Sequence, residues 1–139
     1  FAHTLPQTNL YTHGTLVTAM HGHLAFWGAY GMIVLAIISY ALPNLTGRKL
    51  YQSTRGRAAF WLSNIGMIGM TVAFGVAGVA QVYLERKFGM DFMQVQGEIS
   101  IHFVVLILCA TIFTIGIVLY IIDFYKHGKP NDEALELDN

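Results

Sequence analysis

The sequence predicts an all-α integral membrane protein with three transmembrane helices. Of its 139 residues, 55% are hydrophobic and only 12% are charged, whereas soluble domains carry about 25% charged residues. Mean hydropathy is +0.52. Three nearly uncharged runs each exceed the roughly 20 residues that a helix needs to cross the hydrocarbon core. These runs are continuously apolar and do not alternate, which disfavours a membrane β-barrel.

The predicted helices cover residues 14–42, 56–84 and 95–125 within a single membrane domain, residues 1–139. Pro43 ends the first helix, Gly89 lies in the second connection, and Gly128 with Pro130 ends the third helix. Residues 1–13 form an outer-side segment that leads into the first helix, and residues 126–139 form a tail. Because the chain begins with Phe1 and no signal-peptide pattern follows, we expect it to be part of a longer protein.

The loop charges predict an orientation in the membrane. Residues 85–98 mix basic and acidic side chains, whereas residues 43–57 contain four basic residues and no acidic one: Arg48, Lys49, Arg55 and Arg57. The positive-inside rule therefore places the first loop and the C-terminal tail in the cytoplasm. The N-terminal end of the first helix then faces the periplasm.

Charge and cysteine content disfavour nucleic-acid binding, a disulfide framework and a cysteine metal cluster. Eight Lys and Arg residues balance eight Asp and Glu residues, so no basic excess indicates nucleic-acid binding. Cys109 is the only cysteine, which excludes a disulfide framework within the chain and a cysteine metal cluster.

The second predicted helix carries small residues at helical spacing. Gly69, Ala73 and Ala77 follow one another at intervals of four, with Gly66 and Gly75 nearby. Small residues at this spacing let helix backbones approach closely in lipid. We therefore predict a packing face and no chemistry on this helix.

Ionisable side chains are concentrated at the start of the first helix, where His13 is followed by His21-Gly22-His23. Polar groups inside a membrane helix are costly and indicate a functional site. Successive residues turn a helix by about 100°, so His21 and His23 point to opposite flanks, roughly 160–200° apart. Two cofactors, one on each flank, suit this spacing, and imidazole is a common axial ligand of haem iron. The alternative is that the pair is structural, and that His13 is an interfacial histidine.

The order His13-Gly14-Thr15 followed by His21-Gly22-His23 resembles the tenth helix of the haem–copper oxidase superfamily. More narrowly, the chain resembles the large cytochrome b subunit of bacterial, cytochrome c-dependent nitric oxide reductases. Five segments carry that resemblance: Leu5-Pro6-Gln7, Tyr11 to Thr15, His21 to Phe26, Tyr40 to Pro43, and Arg55 to Trp61. Gly14 departs from the oxidase pattern, in which an aspartate occupies this position.

The resemblance implies that this chain corresponds to the last three of twelve transmembrane helices. It implies that His21 is the proximal ligand of a catalytic high-spin haem b3 and that His23 is an axial ligand of a low-spin haem b. It places His13 near the haem propionates. A non-haem iron beside the high-spin haem is also implied, with ligands on helices outside this chain.

The function implied by the resemblance is reduction of two NO molecules to N2O and water. Electrons come from a cytochrome c subunit through the low-spin haem. The expected location is the bacterial inner membrane, in contact with lipid and with the remaining helices of the large subunit.

Three alternatives remain open at the level of sequence. The chain is part of a terminal oxidase core, or a non-catalytic b-type cytochrome, or an assembly subunit without a cofactor. In a b-type cytochrome His102 is the candidate partner of the histidine pair. Glu98 and His102, four residues apart, are expected to share a face of the third helix.

Overall fold

The computed structural model describes residues 5–45 and 54–127, and the described residues are almost entirely helical. Within these ranges five helices follow one another: α1 (Pro6–Thr12), α2 (Leu16–Leu45), α3 (Thr54–Arg86), α4 (Phe92–Glu98) and α5 (Ser100–His127). Three of them, α2, α3 and α5, are long and apolar enough to cross a membrane. The predicted fold class, with three membrane-spanning helices, is confirmed. Most of the basic loop and nearly all of the tail lie outside the described residues.

Helix α2 begins two residues later than predicted because Gly14 and Thr15 form its entry turn. Gly14 has a φ of 75°, a left-handed conformation that favours glycine. Thr15 is the N-cap, and its side chain accepts a hydrogen bond from the Val17 amide. At the other end the helix continues past Pro43 to Leu45, where the Asn44 side chain donates to the Tyr40 carbonyl oxygen at 2.9 Å.

Two segments of α2 are π-helical, Phe26–Gly31 and Ile37–Ala41. At the second segment a side chain from α5 meets the backbone: the Tyr120 hydroxyl donates to the Leu35 carbonyl oxygen at 3.3 Å and lies 2.7 Å from Ser39 Oγ. Insertion of a polar side chain into the backbone ladder is a known cause of local helix distortion. The apolar pattern of the sequence predicts a continuous helix and does not reveal these wider turns.

Helix α3 lies between the other two membrane helices, and small residues create both contacts. A methyl group on Gly66 would collide with the Phe113 backbone of α5, and one on Gly78 would collide with the Val17 backbone of α2. Ala73 and Ala77 are 5% and 2% exposed. The predicted packing face on this helix is therefore confirmed, and it serves two neighbours.

The segment predicted as one helix over residues 95–125 is two helices in the structure. Asp91 caps α4 by accepting hydrogen bonds from Met93 N at 2.8 Å and Gln94 N at 3.3 Å. The chain then bends at Ile99, whose φ is −91° and ψ is 6°. The bend lets Val95 and Ile99, which are 0% and 1% exposed, both pack on Ala77 of α3. Burial of these two side chains against α3 explains the break.

Candidate functional site

The three predicted site histidines lie along one short stretch at the outer end of the bundle, as the predicted orientation defines it. His13 is exposed at the C-cap of α1, where its N–H donates to the Asn9 carbonyl oxygen at 2.9 Å. The turn at Gly14 separates it from α2, which carries His21 and His23 in its second and third turns. His13 is therefore outside the membrane helix, and the other two are within it.

His23 has one ring nitrogen occupied by the backbone. Its Nδ1 lies 2.8 Å from the Ala19 carbonyl oxygen, one turn earlier on α2. Histidines that bind metals commonly use their second nitrogen in this way, which fixes the tautomer and directs Nε2 outward. On its face the imidazole packs against the Phe74 ring of α3, with centroids 4.9 Å apart and planes inclined at 35°.

A groove beside His23 has a mainly apolar and aromatic lining. Its volume is about 570 Å³, and it is lined by side chains from all three membrane helices: Ala19, Gly22, His23, Phe26, Trp27, Met67 and Phe113. The Trp27 ring meets Phe113 edge-on at 4.9 Å. Its indole nitrogen lies 3.4 Å from Asn64 Oδ1. These aromatic and apolar side chains would pack against a haem that His23 held.

His21 does not line this groove, and it is exposed. The two imidazoles thus leave α2 in different directions, as the spacing of two residues dictates. Gly22, between them, has open space around its Cα: a methyl group there would meet nothing within 4 Å. The backbone between the two histidines is therefore open on the side where a Gly22 side chain would lie.

A multidentate metal centre is not formed by this part of the protein. Within residues 5–45 and 54–127, no three His, Cys, Asp or Glu side chains come together to hold a metal ion. Haem differs because the macrocycle supplies four ligands, so one or two protein side chains complete the coordination. The donor set present, two single imidazoles on separate flanks, fits haem iron and does not fit a metal bound by protein ligands alone.

Glu98 and His102 do not share a helical face. The bend at Ile99 lies between them, and His102 Nδ1 is 3.2 Å from the Ile99 carbonyl oxygen. His102 is thereby engaged at the start of α5. The expectation of a common face was wrong because it assumed an uninterrupted helix.

A polar cluster at the opposite end of the bundle was missed by the sequence analysis. Asp123 of α5 is 2% exposed, and its Oδ1 lies 3.9 Å from Nη1 of Arg55 at the start of α3. Together with Ser39 and Tyr120, Asp123 lines a cavity of about 330 Å³ whose other walls are mainly apolar. In the sequence, Asp123 is a carboxylate at the end of an otherwise apolar run. The sequence does not indicate which residues bury it.

Phe74 and Gln81 of α3 were also missed. Phe74 stands among many apolar residues, and nothing in its spacing marks it as a contact of His23. Gln81 carries a clearer signal, since it extends the series Ala73, Ala77 by one further step of four and is the polar member of that series.

Comparison with known proteins decides the family. Residues 1–112 match the family described as Cytochrome C and Quinol oxidase polypeptide I. The chain belongs to this family of haem–copper oxidase subunits. Over 137 residues it is also 41% identical to a nitric oxide reductase subunit from Stutzerimonas stutzeri. That match covers 93% of this chain and 29% of the relative, so the chain spans less than a third of the relative's length.

The predicted resemblance to the haem–copper oxidase superfamily and to nitric oxide reductase large subunits is therefore confirmed. Members of this family are helical membrane bundles, in agreement with the three spanning helices observed. Family membership identifies the chain as part of a membrane subunit of the haem–copper oxidase type, and implies haem and metal cofactors in general.

Proposed function

We propose that this chain is part of the catalytic subunit of a respiratory nitric oxide reductase. The observation that carries this proposal is the 41% identity to the nitric oxide reductase relative over 93% of the chain. The reaction consumes two NO, two protons and two electrons and yields one N2O and one water. The electrons come from a cytochrome c subunit, and the complete protein contains the remaining helices of the large subunit.

In this proposal His23 is an axial ligand of the low-spin haem b. Two features support the assignment: the Nδ1 contact with the Ala19 carbonyl oxygen, which leaves Nε2 as the remaining ring nitrogen, and the aromatic groove beside the ring. A bond to a carbonyl oxygen fixes the tautomer and the ring orientation of a ligating imidazole. The Phe74 ring restricts rotation of that plane from the α3 side.

His21 is in this proposal the proximal ligand of the high-spin haem b3 on the other flank. Its absence from the groove that His23 lines supports the assignment, because a second haem on the other flank would be enclosed by helices outside the chain. His13 lies at the outer end, at the level where the propionates would reach the aqueous phase. The non-haem iron takes its ligands from other helices.

When bound, the two haems supply electron transfer and the iron that receives NO. The chain's own residues would hold and orient these haems. One short stretch of α2 positions both imidazoles, about 3 Å apart along the helix axis. Gly22 keeps side-chain bulk away from the space between the two flanks. In the proposed topology the outer end of α2 is periplasmic and the C-terminus is cytoplasmic, in the bacterial inner membrane.

The experiment that tests the proposal uses the complete large subunit purified with its cytochrome c partner. We expect absorbance bands of low-spin and high-spin haem, and stoichiometric conversion of NO to N2O with reduced cytochrome c. Rapid reduction of O2 without NO turnover would favour a terminal oxidase instead. A haem spectrum without either activity would favour a b-type cytochrome, and a colourless protein would favour an assembly role.

A further inference from the structure

Gln81 is a buried amide in the α2–α3 contact, at the end where α2 begins. It is 3% exposed, although it lies in a helix that otherwise packs through small and apolar residues. Its Oε1 accepts a hydrogen bond from the Leu16 amide at 3.0 Å. Its Nε2 donates to Glu85 Oε1 at 2.9 Å, one turn along α3.

The Leu16 amide is the first of the N–H groups at the start of α2 that have no partner within the helix. The hydroxyl oxygen of Thr15 accepts a hydrogen bond from the next such group, the Val17 amide. Gln81 accepts the hydrogen bond of the Leu16 amide, although it lies 65 positions away in sequence. Immediately beside this bond, Gly78 brings the α3 backbone against Val17 so closely that a methyl group would not fit. The start of α2 is thus joined to α3 by a directional bond and by close packing.

A second side-chain hydrogen bond joins the two helices beyond the histidines, from Trp27 Nε1 to Asn64 Oδ1 at 3.4 Å. His23 lies between the two bonds along α2, and its packing partner Phe74 lies between Gln81 and Asn64 along α3. Two points of attachment on either side of a helical segment fix both its tilt and its rotation. The Gln81 bond is the shorter of the two, and Gln81 is more deeply buried than Asn64.

We propose that Gln81 is a positioning residue that sets the orientation of the His23 imidazole toward the low-spin haem. This inference rests on the proposed function. Gln81 acts through the start of α2, about 10 Å from His23 along the helix axis. Glu85 acts with it: by accepting from Nε2, its carboxylate holds the amide in the orientation that directs Oε1 to Leu16.

The test compares Gln81→Met with Glu85→Gln in the complete enzyme. Methionine has nearly the same length as glutamine but cannot accept the Leu16 hydrogen bond, whereas glutamine at position 85 keeps an oxygen that can accept from Gln81 Nε2. The g values of a low-spin haem depend on the orientation of its axial imidazole planes, so electron paramagnetic resonance reports the predicted change directly. The matched control is Gln94→Met, because Gln94 is an exposed residue on α4.

We expect Gln81→Met to shift the low-spin haem signal and to lower NO turnover about tenfold, with haem content retained. Glu85→Gln should retain the wild-type signal because it keeps an acceptor for Gln81 Nε2, and Gln94→Met should leave the signal unchanged. If Gln81→Met does not assemble, Glu85→Ala decides the question, since it releases the amide and should shift the signal in the same direction by less.

An unchanged low-spin signal in Gln81→Met, or in Glu85→Ala where the first variant is lost, would overturn the inference even if thermal stability fell. That result leaves the proposed function intact. A wild-type enzyme without a low-spin haem signal would instead overturn the proposed function and this inference with it. The two failures are therefore distinguished by the wild-type spectrum.

Discussion

The Nδ1 atom of His23 lies 2.8 Å from the carbonyl oxygen of Ala19, four residues earlier on the same helix. That contact ties the ring to its own backbone and leaves Nε2 as the nitrogen that can reach a neighbour. Histidines that bind a metal through one ring nitrogen commonly form a hydrogen bond with the other. His23 therefore has a single ring nitrogen available to a cofactor, and its substitution should affect one cofactor.

We expect His21→Ala to abolish NO turnover in the complete enzyme while sparing the low-spin haem. His21 is the proposed anchor of the iron to which NO binds, and His23 leaves the helix on a different flank and cannot replace it. Absorbance and electron paramagnetic resonance should show loss of the high-spin signal alone. Full activity with an intact high-spin signal would refute this assignment.

We expect His23→Ala to damage the low-spin haem first. Loss of one axial ligand should leave that haem five-coordinate or absent, so that electron delivery fails although NO can still reach the active site. The two variants should be compared after reduction, with and without carbon monoxide as a probe of open iron. If both variants lose the same haem signal, the pair serves a single cofactor and the two-flank interpretation is wrong.

We expect Gly116→Ala to destabilise the bundle by about 1–3 kcal/mol through overpacking. A methyl group on Gly116 would lie 2.5 Å from the Ser63 backbone nitrogen, and backbone cannot move aside as a flexible side chain can. The matched control is Gly97→Ala, where a methyl group meets nothing within 4 Å. Thermal unfolding in detergent measures both. Equal melting temperatures for the two variants would contradict the packing argument.

We expect Arg55→Leu to destabilise the protein more than Asp123→Asn does. Removing the arginine leaves a carboxylate that is 3% exposed without this cation, whereas removing the carboxylate leaves an arginine that is 36% exposed and can turn toward water. Because the pair is 3.9 Å apart and water screens the arginine, we expect Arg55→Leu to cost about 1 kcal/mol. Thermal unfolding of both variants and of the double variant gives the order, and the reverse order would disprove the explanation.

We expect a membrane-impermeant thiol reagent added from the periplasmic side to label Lys87→Cys and not Asn44→Cys. Both positions are exposed and lie near opposite membrane surfaces, at the ends of α3 and α2. Cys109 should first be replaced by alanine, because it is a half-buried native thiol. Labelling of Asn44→Cys from outside would reverse the proposed orientation, which rests on the basic residues between 43 and 57.

Length and composition were sufficient to predict the three spanning helices, because hydrocarbon thickness and backbone hydrogen bonding leave few alternatives. The small-residue face of α3 was also predictable, since Ala73 and Ala77 have no other evident role. The bend at Ile99 was not predictable, because an apolar run has the same pattern whether it forms one helix or two. The bend depends on Val95 and Ile99 finding Ala77 in another helix.

The candidate site was likewise predictable from the sequence only in part. The spacing of His21 and His23 determines that they leave the helix on different flanks, whatever surrounds them. The partners of His23 could not be foreseen, because Phe74 is 51 positions away in sequence and resembles its apolar neighbours. Gln81 and Asp123 were visible as polar residues in apolar runs, but their burial results from packing that only the folded bundle shows.

The π-helical segment at Ile37–Ala41 has a consequence for variation in the length of α2. A π turn contains one residue more than an α turn, so loss of a single residue there would convert it to an α turn without ending the helix. Such a deletion would alter the turn itself and leave the rotational phase on either side unaltered. The outer half of α2, with both histidines, and the inner half, where Ser39 meets Tyr120, can therefore tolerate a one-residue deletion between them. Alignments of related chains should accordingly place gaps in this turn rather than in the loops.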